Sequence, residues 1–137
     1  MSYLIRGQEI EPSTEAPYGQ RVKVIATQAI AKYDIVVATG NSGKLMNVSL
    51  ADTDGVASLR AGPMWVALGK AAAADDIIEV APWAVVVGTA DDTLDTSGSA
   101  AAGAPVWLSA TPGKVSVTET ASVGDAVQIV GRILTKN

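Results

Sequence analysis

From Arg21 onward the apolar positions come in short runs broken by Gly, Pro, Asn and Asp. Val115 and Val117 alternate with Lys114, Ser116 and Thr118, the period-two pattern of a strand with one wet face. Residues 21–27, 34–39, 44–50, 64–70, 77–80, 105–109 and 126–134 are runs of similar length rich in β-branched residues and predict further strands. Residues 83–88 form another, whose Val85-Val86-Val87 centre does not alternate and points to burial on both faces. Turns are expected at Gly40-Asn41-Ser42-Gly43 and Thr111-Pro112-Gly113, where Gly supplies a positive φ. Residues 71–74 favour helix but span only about one turn, too short to stand alone. Residues 90–103 are small and polar and read as a long surface loop.

The first twenty residues differ. They hold Gly7, Pro12, Pro17 and Gly19 with little periodicity, so they read as an extended arm. Tyr3, Leu4, Ile5 and Tyr18 are large apolar anchors in a segment that lacks a core of its own, which favours an arm that orders on a neighbouring molecule. The expected organisation is an arm over residues 1–20 and one domain over 21–137. The fold class is mainly β: a single small β-barrel or β-sandwich with little helix.

A weak internal symmetry accompanies the pattern. Aligning Gly43-Lys44 with Gly113-Lys114 places Val36 on Val106, Val37 on Trp107 and Leu45 on Val115, an offset of 70. Leu68-Gly69-Lys70 resembles Val130-Gly131-Arg132 at an offset of 62. Two similar β units in one chain suit a barrel or a sandwich.

Composition narrows the chemistry. The chain has 137 residues, a net charge of −4, no Cys, no His and no Phe. Disulfides are excluded, and so is any Ser-His-Asp, Cys-His or histidine-base mechanism within one chain. A structural zinc site lacks its usual ligands. An acidic chain is poorly suited to phosphate backbones, so no nucleic-acid partner is expected. No secretory signal is apparent at the start and no run is long and apolar enough to span a bilayer, so no membrane partner is expected either.

Each motif that invites a chemical reading has a simpler one. Gly40-Asn41-Ser42-Gly43-Lys44 has too short a spacer for a phosphate loop and leads into a strand, so it is a hairpin turn. Asp52-Thr53-Asp54-Gly55 starts like a calcium loop, but Ala57 and Arg60 stand where oxygen ligands are needed. Asp75-Asp76 and Asp91-Asp92 with Asp95 read as turns and loop tips. No metal, no cofactor and no catalytic residue is expected. Trp65, Trp83 and Trp107 each lie in an apolar run and read as core or interface aromatics.

The succession of a strand, Gly-Lys, a strand, Thr53-Asp54-Gly55-Val56, Val66-Ala67-Leu68-Gly69-Lys70-Ala71 and Asp75-Asp76-Ile77-Ile78-Glu79-Val80 resembles the small capsid decoration, or cement, proteins of tailed bacteriophages, most closely the DUF2190 family. Tyr33-Asp34-Ile35-Val36, Ala104-Pro105-Val106-Trp107 and Ile129-Val130-Gly131-Arg132-Ile133-Leu134 fit further slots of that pattern over residues 21–136. Ala104-Pro105 departs from the usual Gly-Asp, and the 91–103 loop is longer than the family's. The resemblance implies a non-enzymatic protein, made in the host cytoplasm, that ends on the capsid exterior. It would bridge major capsid protein subunits as a homotrimer, with Tyr3, Leu4, Ile5, Arg6 and Tyr18 of the arm making the subunit contacts. The alternatives are another virion β module of head fibre, tail or baseplate, and a carbohydrate-binding domain using the three Trp.

Overall fold

The computed structural model describes residues 3–5, 8–10, 21–56, 59, 63–84, 94–95, 101–118, 125 and 127–133. Among them the regular structure is β: β1 (Tyr3–Ile5), β2 (Gln8–Ile10), β3 (Val22–Ala26), β4 (Ile35–Ser42), β5 (Leu45–Leu50), β6 (Met64–Ala67), β7 (Ile77–Ala81), β8 (Leu94–Asp95), β9 (Pro105–Leu108), β10 (Val115–Ser116) and β11 (Ile129–Arg132). The expected class is therefore observed, and the choice between barrel and sandwich falls to the barrel.

Five strands close on themselves in the order β3-β5-β4-β6-β7, with β7 returning to pair antiparallel with β3. The β3–β5 pair is parallel and the others are antiparallel. A barrel of so few strands has a narrow interior, which small side chains must fill. Hence the Val- and Ala-rich composition: Val24, Ala26, Val36, Val48, Ala67 and Val80 are fully buried, with Ile30, Ala71 and Ile78 packed among them. The burial in β3 alternates inward and outward through Val24 and Ala26, as a strand with one core face requires. A bulge between Ala38 and Gly40 bends β4, a usual device for closing a barrel.

The β4–β5 turn is tighter than the four-residue segment read from sequence. Ser42 pairs with Leu45, so only Gly43 and Lys44 form the loop. Gly43 has a φ of 63° and Lys44 has none above zero, the pattern of a type II′ turn. Residues 71–74 are not helical. Ala71 bridges Ile30, and Asp76 Oδ2 accepts from the backbone N–H groups of Ala72 and Ala73 at 2.8 and 3.2 Å, closing a turn instead.

The remaining strands form a sheet in the order β11-β9-β10-β8. β8 lies within the segment expected to be loop; it is only two residues long, too short for a periodic signal. Residues 85–88, expected to form a strand, lie outside the described residues, and Pro82, Trp83 and Ala84 before them are not in a strand. β1 and β2 pair with each other as an antiparallel hairpin within the segment read as an extended arm.

The two halves repeat one topology. In each, a hairpin (β4–β5, β9–β10) carries a parallel strand beside its second member (β3, β8) and an antiparallel strand beside its first (β6, β11). The register repeats too: Ile35↔Val66, Val36↔Trp65 and Val37↔Met64 correspond to Pro105↔Arg132, Val106↔Gly131 and Trp107↔Ile129. The offset of 70 along β4 and β9 is the one read from sequence; along β5 and β10 it is 67, because Val115 and Ser116 face Leu108 and Trp107 as Val48 and Ser49 face Ala38 and Val37, so Val115 answers to Val48 and not to Leu45. Along β6 and β11 it is 66, falling to 65 across the bulge at Val130, and not the 62 suggested by the Gly69 and Gly131 motifs.

Candidate interaction surfaces

The barrel and the second sheet are joined by the turn between β9 and β10. The Thr111 carbonyl accepts from Lys114 N–H at 3.1 Å, with Pro112 and Gly113 between them and Gly113 at φ 78°, the arrangement of a type II turn. Gly113 then enters the barrel's hydrogen bonding: its N–H donates to Ala51 O and its carbonyl accepts from Ile35 N, both at 2.8 Å. The approach is too close for a side chain, since a Cβ there would lie 2.6 Å from Leu50 Cδ2 and 3.0 Å from Asp34 Cγ. Lys114 Nζ reaches Asp34 Oδ1 at 2.7 Å, and Asp34 Oδ2 accepts from Ala31 N at 2.9 Å. Tyr33, at φ 71°, turns the chain so that Asp34 faces this seam while Tyr33 N donates to Ala67 O. Val37, Ala51 and Leu108 are buried together beneath it, with Ile35, Leu59, Met64 and Val130 against them. Locally, Gly113-Lys114 is a plain hairpin turn; its partners Ala51, Ile35 and Asp34 are distant in sequence and leave no local signal.

The Asp52-Thr53-Asp54-Gly55 segment is a turn at the same seam, where Thr53 N donates to Ser109 O at 3.4 Å. Partial burial is the main cause that pushes the Asp52 carboxyl up to about 6, and a side-chain hydrogen bond with Asp54 adds to it. The Asp54 N–H donates to Asp52 Oδ1 at 3.3 Å and pulls the other way. Among the described residues, no three Asp or Glu side chains converge in a way that could hold a metal ion.

The tryptophans occupy three separate elements. Trp65, on β6, packs partly buried against the barrel core. Its Nε1 is buried without a hydrogen-bond partner among the described residues. Trp107, on β9, is half-buried in the second sheet, paired across to Ser116 and Ile129. Trp83, after β7, is 43% exposed. Of the arm residues, Tyr3, Leu4 and Ile5 form β1, opposite Ile10, Glu9 and Gln8; Arg6 and Tyr18 lie outside the described residues.

What the topology leaves open is backbone. A closed barrel has no edge strands. Among the described residues, the strands with an unpaired side are β1 and β2 of the hairpin and β8 and β11 of the second sheet. The β11 edge is also apolar: Val127 is 50% and Ile129 55% exposed. Sequence reading placed a strand here and missed its exposure, because an edge looks like a central strand until its neighbours are known. Comparison with protein-family models, with curated proteins and with solved structures found no match.

Proposed function

We propose that this chain is a capsid decoration protein, which binds the outer surface of a bacteriophage head and bridges its major capsid protein subunits. The observation that carries the reading is the contrast between a sealed barrel and strands beside it whose outer edges pair with no described residue. Open edges are sites of strand addition, in which backbone hydrogen bonds supply affinity and alternate side chains supply specificity. The resemblance of residues 21–136 to phage cement proteins points the same way, and the net charge of −4 suits a surface held away from packaged DNA. A protein that binds the assembled shell and not its free subunits stabilises the shell by mass action. No catalytic step is needed for this role.

Co-sedimentation with expanded, undecorated heads tests the proposal. The full-length chain should pellet with heads at saturable stoichiometry and raise their resistance to heat. Deletion of residues 2–19 should sharply weaken attachment. A full-length chain that stays in the supernatant at every head concentration overturns the proposal.

A further inference from the structure

The repeat shows what the second sheet lacks. In the barrel, the outer side of β6 is taken by β7, antiparallel, with Val66↔Ala81 and Ala67↔Val80 in register. The counterpart of β6 is β11, whose outer side pairs with no described strand. By the register of the repeat, Val66 and Ala67 correspond to Arg132 and Ile133, so a strand in the position of β7 would run antiparallel past these residues. A Cβ on Gly131 would meet none of the described residues within 4 Å. A glycine inside a strand often marks a bulge or the close approach of another backbone. Arg132, the one charge on this strand, donates from its guanidinium to the Gly103 carbonyl at 3.1 Å, and Ile129 faces solvent. An exposed apolar edge of this kind invites pairing unless it is covered.

The same chain carries a matching element. The β1–β2 hairpin pairs with no third described strand, and a lone two-stranded hairpin is marginal in water. Its first strand reads Tyr-Leu-Ile, an apolar strand whose outer side pairs with no described strand. We infer that the N-terminal hairpin of one copy adds to the outer edge of β11 in the next copy, supplying to the second sheet the strand that β7 supplies to the barrel. Such a contact joins two different surfaces, so it propagates head to tail and closes into a ring when the rotation permits. This deepens the decoration reading by naming what the arm grips, and rests on that reading's view of the arm as an anchor. It is nevertheless measured without heads.

The absence of cysteine makes the test direct. Single cysteines at positions 3, 4, 5, 8, 9 and 10 would each be mixed with Arg132→Cys under mild oxidation. At least one mixture should give a disulfide-linked pair containing one chain of each kind, identified by mass spectrometry. In parallel, light scattering on the isolated protein should show closed oligomers for the native chain and monomer for Arg132→Pro, which removes a backbone N–H from the outer side of the strand. The melting temperature of the barrel should change little, because Arg132 is exposed and lies outside the barrel. A native chain that is monomeric at all concentrations, or linkage only between like positions, overturns the inference. Head binding by a monomeric native chain would remove this inference and leave the decoration reading standing; self-association without head binding would do the reverse.

Discussion

Lys114 Nζ lies 2.7 Å from Asp34 Oδ1, an ion pair between residues eighty positions apart that fastens the second sheet to the barrel. The Asp34 side chain is only 5% exposed and that of Lys114 26%, so the carboxylate bears most of the desolvation. Removing the ammonium would leave a buried carboxylate that still accepts from the Ala31 backbone N–H. Lys114→Ala should therefore destabilise the fold by about 1–3 kcal/mol, below the full value for a wholly buried pair because Lys114 is partly solvated. Urea unfolding of the two single variants and of Lys114→Ala with Asp34→Ala should show the double variant less destabilised than the sum.

Gly113 and Gly43 both have positive φ, yet their surroundings differ. Gly113→Ala combines the backbone penalty with contacts at 2.6 and 3.0 Å to Leu50 and Asp34 and should cost about 2–4 kcal/mol. Gly43→Ala meets no atom of the described residues within 4 Å and should cost about 1–2 kcal/mol from the backbone. Chemical denaturation of the pair measures the difference, which isolates the packing at the seam.

The raised carboxyl of Asp52 makes the fold respond to acid in a definite direction. Its folded pKa of about 6 lies above the ordinary 3.8, so the folded state binds this proton more tightly than the unfolded state does. The stabilisation is fully present below about pH 4 and is lost as the pH rises through 6. Asp52→Asn should flatten the stability profile between pH 4 and 6 relative to the native chain, as thermal melts across that window would show. The effect is modest, because Asp52 is only partly buried and its charge is screened by solvent.

The tryptophans should report their different settings. Trp83→Phe should remove most of the fluorescence that iodide quenches, because Trp83 is exposed while Trp65 packs on the barrel core. Trp65→Phe should leave the quenchable fraction in place. Equal quenching of the two variants would contradict the packing described for Trp65.

How much of this was legible in the sequence depends on range. Pro112-Gly113 and Gly43 announced their turns because turn chemistry is local. Strands β3, β5 and β9 followed from β-branched runs. The choice between barrel and sandwich did not, because closure depends on Val22 meeting Val80 and Val24 meeting Ile78, pairings that no local pattern encodes. The repeat was visible along β4 and β9, where no residue is inserted. Along β6 and β11 the bulge at Val130 shifts the register, and the shared Gly-containing motif pointed to the wrong alignment. The Asp34–Lys114 pair went unseen because both residues looked like ordinary strand-end polar groups.

The antiparallel contact of β3 with β7 also orders events during folding. The β4–β5 hairpin spans a two-residue loop and can form within microseconds, and β3 can dock in parallel on β5 once that strand exists, whereas closure of the barrel must wait for β7, more than fifty residues downstream of β3. A nascent chain therefore passes through an interval in which four barrel strands exist with two raw flanks, and only synthesis beyond Ala81 lets them seal. Pulsed hydrogen exchange during refolding should accordingly find amides of β4 and β5 protected before those bonded across the β3–β7 seam. A chain stalled before β7 emerges should be aggregation-prone in a way that the finished molecule, with its flanks consumed, is not.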